Sequence, residues 1–300
     1  MTILLTGASG MLGTAIGSAL SRRGVRLLTL VRREPKGRDE LGWDPARARL
    51  EGPERLEGLD AAVHLSGANV ASRRWTAGYK REMTESRVAS TRFLAETLAA
   101  LRQPPPVLVT ASAVGFYGDR GDEILDEDSA AGKGYFPELC TAWEAAARPV
   151  TDAGIRVVHL RFGMVLGPKG GAMARLAPLF RLGLGGRLGG GRQWMSWISE
   201  EDAVAAALFA LDNSALSGPV NLAAPQPIIN ADFTRELACA VHRPAVLPAP
   251  AFALRLAFGE MADEALLAST RALPKRLTHA GFSFAHPILP QAFAAALTSS

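Results

Sequence analysis

Residues 1–13 read Met-Thr-Ile-Leu-Leu-Thr-Gly-Ala-Ser-Gly-Met-Leu-Gly, and this stretch decides the fold. An apolar run from Ile3 to Leu5 leads into glycines at 7, 10 and 13, and an amphipathic helical pattern follows over residues 15–23. Each glycine has a separate reason to lack a side chain. Gly7 suits a tight turn, Gly10 lets a pyrophosphate approach the backbone, and Gly13 lets the helix pack close to the strand. Free N–H groups at the helix start would then meet the phosphates. Three glycines spaced GxxGxxG also serve in ordinary turns. The frame separates the two readings, because a second apolar run over residues 25–31 completes strand, loop, helix and strand.

The end of that second strand bears on which dinucleotide fits. A carboxylate there accepts hydrogen bonds from an adenosine ribose and repels a 2′-phosphate. This chain instead has Val31-Arg32-Arg33, with Glu34 only afterwards. Two guanidiniums favour the phosphorylated ribose through charge-assisted contacts, so NADP(H) is expected over NAD(H). The plainer reading is two solvated arginines at a strand end.

A chain of 300 residues, 48% hydrophobic, has enough apolar content for a substantial core. The net charge of +4 is spread along the chain without a basic stripe or tail, so nucleic acid is not implied. The two cysteines, Cys140 and Cys239, suit neither a zinc motif nor a disulfide scaffold; free thiols and no bound metal are expected. No apolar stretch approaches membrane-spanning length, and no basic leader precedes the first strand. The expectation is a soluble, cytoplasmic protein that takes a small-molecule substrate and no membrane partner.

Further strand-like runs fall at residues 61–65, 107–110 and 156–160, separated by helical patterns over 76–101 and 136–153. Such alternation predicts an α/β fold, a Rossmann-type doubly wound parallel sheet. The prolines 104–106 connect helix to strand. A helix is expected over 201–211. The organisation predicted is a dinucleotide-binding domain over 1–224, with substrate-lobe segments from about 168, and a smaller, mostly helical C-terminal lobe over 225–300.

Several segments together resemble a known group. Thr6 to Gly13, Val63-His64-Leu65-Ser66-Gly67-Ala68-Asn69, Thr110-Ala111-Ser112-Ala113-Val114-Gly115-Phe116-Tyr117-Gly118 and Arg161-Phe162-Gly163-Met164-Val165-Leu166-Gly167-Pro168 look like extended short-chain dehydrogenase/reductases. The runs RLGLGGRLGGGRQWMSWISEEDAV, GPVNLAAP and ALPKRLTHAGFSF narrow this to an atypical NADP-dependent epimerase branch with a small C-terminal domain of unknown function. The resemblance implies cofactor contacts at Thr6, Gly7, Ser9, Gly10, Met11, Leu12 and Gly13, to which the strand-end chemistry adds Arg32 and Arg33. It implies others at Leu65, Ser66, Gly67, Asn69, Thr110 and Phe162. It also implies hydride chemistry on a small polar substrate, and a homodimer through the two long helices. His64 reads as a packed strand residue.

The same resemblance exposes a departure. Relatives place a hydroxyl beside a tyrosine, with a lysine four residues later that lowers the phenol's pKa from about 10. Ser112 fits the hydroxyl. Anchoring the next helix on Glu144 puts Phe136 at the tyrosine position and Cys140 at the lysine position. Tyr135 and Tyr117 are the remaining phenols, each either a proton donor or a substrate-lining group. Arg87 stands where relatives carry an asparagine, and is either an anion clamp for substrate or a helix-face arginine paired with Glu144 or solvent. The glycine-rich residues 183–197, with Arg187, Arg192, Gln193 and Trp194, suit a lid over substrate or a flexible connection. Arg192 and Trp194 are the substrate candidates there. Two functions stay open: an NADP-dependent oxidoreductase or epimerase, and an NADPH-binding sensor without turnover.

Overall fold

The computed structural model describes residues 1–168 and 170–298. In chain order the first elements are β1 (Thr2–Thr6), α1 (Met11–Arg22), β2 (Arg26–Val31), β3 (Glu40–Asp44), β4 (Arg49–Leu50) and β5 (Ala61–His64). Next come α2 (Ala77–Ala99), β6 (Val107–Ala113), β7 (Ile124–Leu125), α3 (Tyr135–Ala145), α4 (Arg148–Asp152) and β8 (Arg156–Phe162). After them run β9 (Met164–Leu166), α5 (Met173–Arg181), β10 (Trp194–Met195), β11 (Trp197–Ser199), α6 (Glu200–Asp212) and β12 (Gly218–Leu222). The chain closes with β13 (Ile228–Ile229), α7 (Asn230–Ala240), α8 (Ala251–Phe258), β14 (Arg271–Ala272), α9 (Lys275–His279) and α10 (Leu289–Leu297).

Eight strands form the main sheet in the order β12-β8-β6-β5-β1-β2-β3-β4. β1 pairs in parallel with both β2 and β5, β5 with β6, and β2 with β3, while the β3–β4 edge pair is antiparallel. This is the expected Rossmann-type α/β architecture. Chain direction across the sheet reverses between β1 and β5, so their C-terminal ends open the crevice where such folds take ligands.

Local chemistry explains the elements. Ile3, Leu4 and Leu5 are fully buried, as a strand covered on both faces requires. α2 starts where Thr76 accepts a hydrogen bond from the Tyr79 N–H at 3.2 Å, an N-cap legible in the sequence. The long helix expected over 136–153 is two helices, because Pro149 can occupy only the first turn of the second. β3, Glu-Leu-Gly-Trp-Asp, has no apolar run to mark it in the sequence. It is held by Trp43, stacked with Phe93 and edge-on to His64, and by parallel pairing with β2.

The chain divides into two compact, discontinuous units. The first comprises Met1–Ser112, Thr141–Leu160 and Ala207–Pro219; the second comprises Ala113–Cys140, Arg161–Ala206 and Val220–Ser300. The first has a core of Leu4, Leu28, Leu30, Trp43, Leu94, Leu98 and Leu108 among others. The second centres on Trp197, Phe233, Leu237 and Phe293, where α7 packs on α10. Residues 225–298 are mostly helical, with the two short strands β13 and β14.

The glycine-rich residues 183–197 are well anchored in the second unit. β10 pairs antiparallel with β13, β11 pairs in parallel with β9, and Leu188 bridges Ala249. The Gln193 amide donates to the main chain at Leu188 and Leu266, and Asn230 accepts from the Leu188 N–H at 2.7 Å. Main-chain pairing to distant residues replaces the freedom that composition alone suggests. Trp197, at the end of the segment, is buried.

Candidate functional site

The glycine loop lies between β1 and α1 in the first unit. Gly7 adopts φ +70°, and a Cβ there would sit 2.7 Å from the Leu65 carbonyl group. A Cβ on Gly13 would lie 2.0 Å from the Gly7 oxygen. The fold itself therefore requires both glycines. Gly10 differs. Its φ of −76° suits any residue, and its nearest obstruction is the Gly7 oxygen at 3.4 Å. Nothing within the chain demands glycine there, whereas a phosphate approaching the backbone would.

Gly10 is also the N-cap of α1, with no side-chain cap and no acidic residue in the first turn. The N–H groups of Met11, Leu12 and Gly13 thus face the loop without a competing carboxylate, which leaves an anion-ready helix start. The loop fits a dinucleotide pyrophosphate.

At the end of β2 the two arginines separate. Arg33 makes a two-pronged ion pair with Glu40, Nη1 to Oε2 at 2.8 Å and Nη2 to Oε1 at 2.5 Å. That partner holds the Glu40 carboxyl down to about 2. Arg32 is exposed and forms no hydrogen bond or ion pair among the described residues. The cation available at this strand end is Arg32.

The loop after β5 is built around Thr6. Its hydroxyl oxygen accepts from the Ser66 hydroxyl at 3.0 Å and from the Leu65 N–H at 3.3 Å, and it lies 2.7 Å from His64 Nδ1. With two donors already received, Thr6 donates to Nδ1, which places the imidazole proton on Nε2, toward Ser90 Oγ at 3.3 Å. His64 is fully buried, and desolvation pushes its pKa down to about 3. It is a neutral core residue that ties β1, β5 and α2 together. Asn69 turns the loop, its Oδ1 accepting from the Ala71 N–H and its carbonyl from Ser72 Oγ and the Tyr79 hydroxyl.

Arg87 rises from α2 toward this loop. Its guanidinium donates to the Ala68 carbonyl at 2.9 Å and the Met83 carbonyl at 3.2 Å, lies 5.0 Å from the Trp143 ring centre, and is 8% exposed. The arginine thus fastens the Gly67–Ala68 backbone to α2. On β6, Thr110 pairs with His64 across the ladder and is buried. Two residues on, Ser112 shares Thr110's side of the strand and donates to Glu144 Oε1 of α3 at 2.6 Å.

The second unit holds the other candidates. Tyr117 is fully buried; its hydroxyl donates to Asn221 Oδ1 at 2.8 Å and accepts from Arg161 Nη1 at 3.0 Å. Arg161 also lies over the Phe116 ring at 3.5 Å. Burial pushes the Tyr117 phenol up to about 12, against the pull of Arg161. Glu127 is buried in the same network, with Oε1 accepting from the Asn221 and Arg276 N–H groups, and burial raises its carboxyl pKa. Tyr135 is half-buried at the start of α3, where Glu264 accepts from the N–H groups of Tyr135 and Phe136, each at 3.2 Å. Phe162 ends β8 and is 9% exposed. Trp194 donates to Asp122 at 2.8 Å and carries Arg271 above its ring, while Arg192 is exposed with no partner among the described residues.

Sequence reading missed Glu264, Asn221 and Glu127. Each acts through a contact across more than 90 positions, and none lies in a catalytic motif. Among the described residues no three His, Cys, Asp or Glu side chains are grouped to hold a metal ion, and no helix is long and apolar enough to cross a membrane.

Known proteins share this architecture and much of this sequence. An epimerase family protein of Mycobacterium bovis is 45% identical over 296 residues, covering 99% of this chain and 97% of that one. The crystal structure of the human epimerase family protein SDR39U1, solved with NADPH, superposes with a TM-score of 0.92 at 34% identity over the full length of both chains. A nucleoside-diphosphate sugar epimerase from Corynebacterium glutamicum gives 0.83 at 36% identity, covering 99% of this chain and 58% of that one. Residues 249–296 match a domain of unknown function, and residues 3–223 match the NAD dependent epimerase/dehydratase family, to which this chain therefore belongs.

Proposed function

We propose that this chain is an NADP(H)-dependent oxidoreductase or epimerase acting on a small polar substrate. The observation that carries the reading is the loop at residues 6–13, whose central glycine is free of any internal steric demand. The human relative crystallised with NADPH supports the choice of cofactor, and so does Arg32 at the end of β2, which has no partner among the described residues. In this reading the N–H groups of Met11, Leu12 and Gly13 hold the pyrophosphate and Arg32 holds the 2′-phosphate. Leu65, Ser66 and Gly67 present the backbone that the Thr6, His64 and Arg87 contacts fix in place. A bound nicotinamide supplies a donor or acceptor for hydride.

Proton handling falls to this chain's own groups. Tyr117 keeps its proton at neutral pH, with its hydroxyl engaged on both sides, so its role is to brace Arg161 and Asn221. Tyr135 and the Ser112–Glu144 pair are the groups assigned to move a proton. Neither reproduces a tyrosine with a lysine four residues later, since Leu139 follows Tyr135 and Cys140 follows Phe136 at that spacing. That absence favours a second reading, an NADPH sensor without turnover, because binding needs only the first half of the apparatus.

Titration with NADPH and NADH tests the cofactor assignment. Arg32→Ala should weaken NADPH binding about tenfold, a loss of about 1.4 kcal/mol for one charge-assisted contact, and leave NADH unchanged. Equal weakening of both would remove Arg32 from the 2′-phosphate. Incubation of NADPH-loaded protein with carbonyl compounds and nucleotide sugars then separates the two functions. Cofactor oxidation or sugar isomerisation supports the enzyme, and tight binding with neither supports the sensor.

A further inference from the structure

We propose that the second unit contains a binding groove for an amphiphilic anion, a phosphate or carboxylate headgroup on an alkyl or acyl chain, distinct from the dinucleotide loop. The groove has a volume of 870 Å³ and runs between α7, the turn after it and the strip around Arg187. The two strips are tied together by main-chain bonds, from the Ala249 N–H to the Arg187 carbonyl and from the Gly189 N–H to the Ala249 carbonyl, at 2.9 and 2.8 Å.

Its lining is cationic and carries no carboxylate. Arg187, Arg235, His242 and Arg243 contribute the polar walls. Arg235 is already paired, with Asp232 at 2.7 Å on its own helix, and Arg243 spends Nε on the Arg181 carbonyl. Arg187 is exposed and makes no side-chain hydrogen bond or ion pair among the described residues. Its neighbours in sequence do not offer a partner either. No Asp or Glu occurs between Asp152 and Glu200, or between Glu236 and Glu260; the acids of α7, Asp232 and Glu236, both lie against Arg235, at 2.7 and 3.7 Å. A lone cation is common on a surface, but a concave wall with several guanidinium groups and no lining anion favours an anionic occupant.

The rest of the lining points to the apolar part. Ala231, Ala238, Ala245, Val246 and the prolines 244 and 248 form the walls between the charges. Val246 in this lining is 71% exposed, and Leu182, next in the chain to the Arg181 carbonyl that Arg243 holds, is 72% exposed. A free inorganic anion would leave that surface wet; a headgroup with a chain covers it, at about 25 cal/mol per Å² removed from water. Guanidinium groups set among alanine, valine and proline side chains in one groove suit an amphiphile rather than a nucleotide.

Cys239 lies in the groove and is exposed, whereas Cys140 is buried, so one thiol reports on occupancy. The test is calorimetric titration of the full chain with decyl phosphate below its micelle concentration, beside decyl glucoside and inorganic phosphate. Decyl phosphate should bind one to one and slow alkylation of Cys239 by iodoacetamide. The double variant Arg187→Ala/Arg243→Ala should bind it at least about tenfold more weakly, the loss expected for charge-assisted contacts. The same variant should keep the unfolding midpoint and NADPH affinity of the unmodified protein; Arg187→Ala alone serves where the double variant does not. Equal binding of decyl glucoside, equal binding of inorganic phosphate, or an unchanged alkylation rate at saturation overturns the proposal. Sedimentation with phosphatidylglycerol vesicles in the absence of decyl phosphate binding also overturns it, by assigning the charge to a membrane surface instead.

Discussion

Gly13 shows how far a single residue reaches. Its Cβ would stand 2.0 Å from a backbone oxygen, which no side-chain rotation relieves, so Gly13→Ala has to move either Gly7 or the start of α1. The expected cost is about 1–3 kcal/mol of stability from overpacking, with NADPH affinity lost alongside because the same N–H groups move. Thermal unfolding and an NADPH titration check this; a stable variant with intact affinity would mean that the loop tolerates the shift. Gly10→Ala is the informative contrast. Its added methyl meets nothing closer than 3.4 Å within the chain, so it should leave stability unchanged and weaken NADPH alone. These glycines were legible because their requirement is local backbone geometry. The partner of Arg33 was not, since Glu40 reaches it only through the pairing of β2 with β3, a strand too short and too interrupted by Gly42 to announce itself.

Among the elements, helices with caps and strands with apolar runs were readable, and short paired segments were not. β7 and β14 are two residues each and pair in parallel, joining positions separated by nearly half the chain. Beside the pair stands Lys275, whose ammonium reaches Asp126 at 2.9 Å and Asp128 at 2.8 Å just after β14. The two carboxylates raise the lysine's pKa, and the lysine lowers theirs. The ALPKRL segment thus has a physical role: it clamps the turn at 126–129 onto the second unit's core, beside Glu127. Lys275→Ala should leave global stability nearly unchanged, since exposed ion pairs contribute little, and should speed amide exchange selectively at residues 124–129. Unchanged exchange there would move the clamp to the backbone pairing alone. Similar logic applies to the glycine-rich segment. Its composition says mobile, and only the pairing of β10 and β11 with partners elsewhere, invisible in local sequence, says otherwise.

At the scale of the whole molecule, the buried titratable groups set how stability depends on pH. His64 has a folded pKa of about 3, whereas an unfolded histidine titrates near 6.5. Above pH ~6.5 the imidazole is neutral in both states and the Thr6–His64–Ser90 bridge is fully effective. As pH falls from there toward 3, the unfolded chain takes up a proton that the folded chain refuses. Folding then weakens by up to about 1.4 kcal/mol per pH unit. Glu127 acts in the opposite sense over part of this range. Its folded pKa is raised by burial, so the folded state binds a proton before the unfolded state does, and acid relieves a cost. The carboxylates held low by arginine or lysine, such as Glu40 and Asp126, withdraw their contribution only below the ordinary carboxylate range. The interval from pH ~6.5 down to ~4.5 therefore isolates the histidine term from those salt bridges. Denaturant unfolding across that interval should show a steeper loss of stability for the unmodified protein than for His64→Gln, which cannot titrate but keeps polar atoms between Thr6 and Ser90. His64→Gln should be the less stable of the two at pH 8, and the gap should narrow as the pH falls. Parallel curves would mean that the imidazole takes up its proton without unfolding, and that water reaches the junction of β1, β5 and α2 on which the proposed cofactor loop rests.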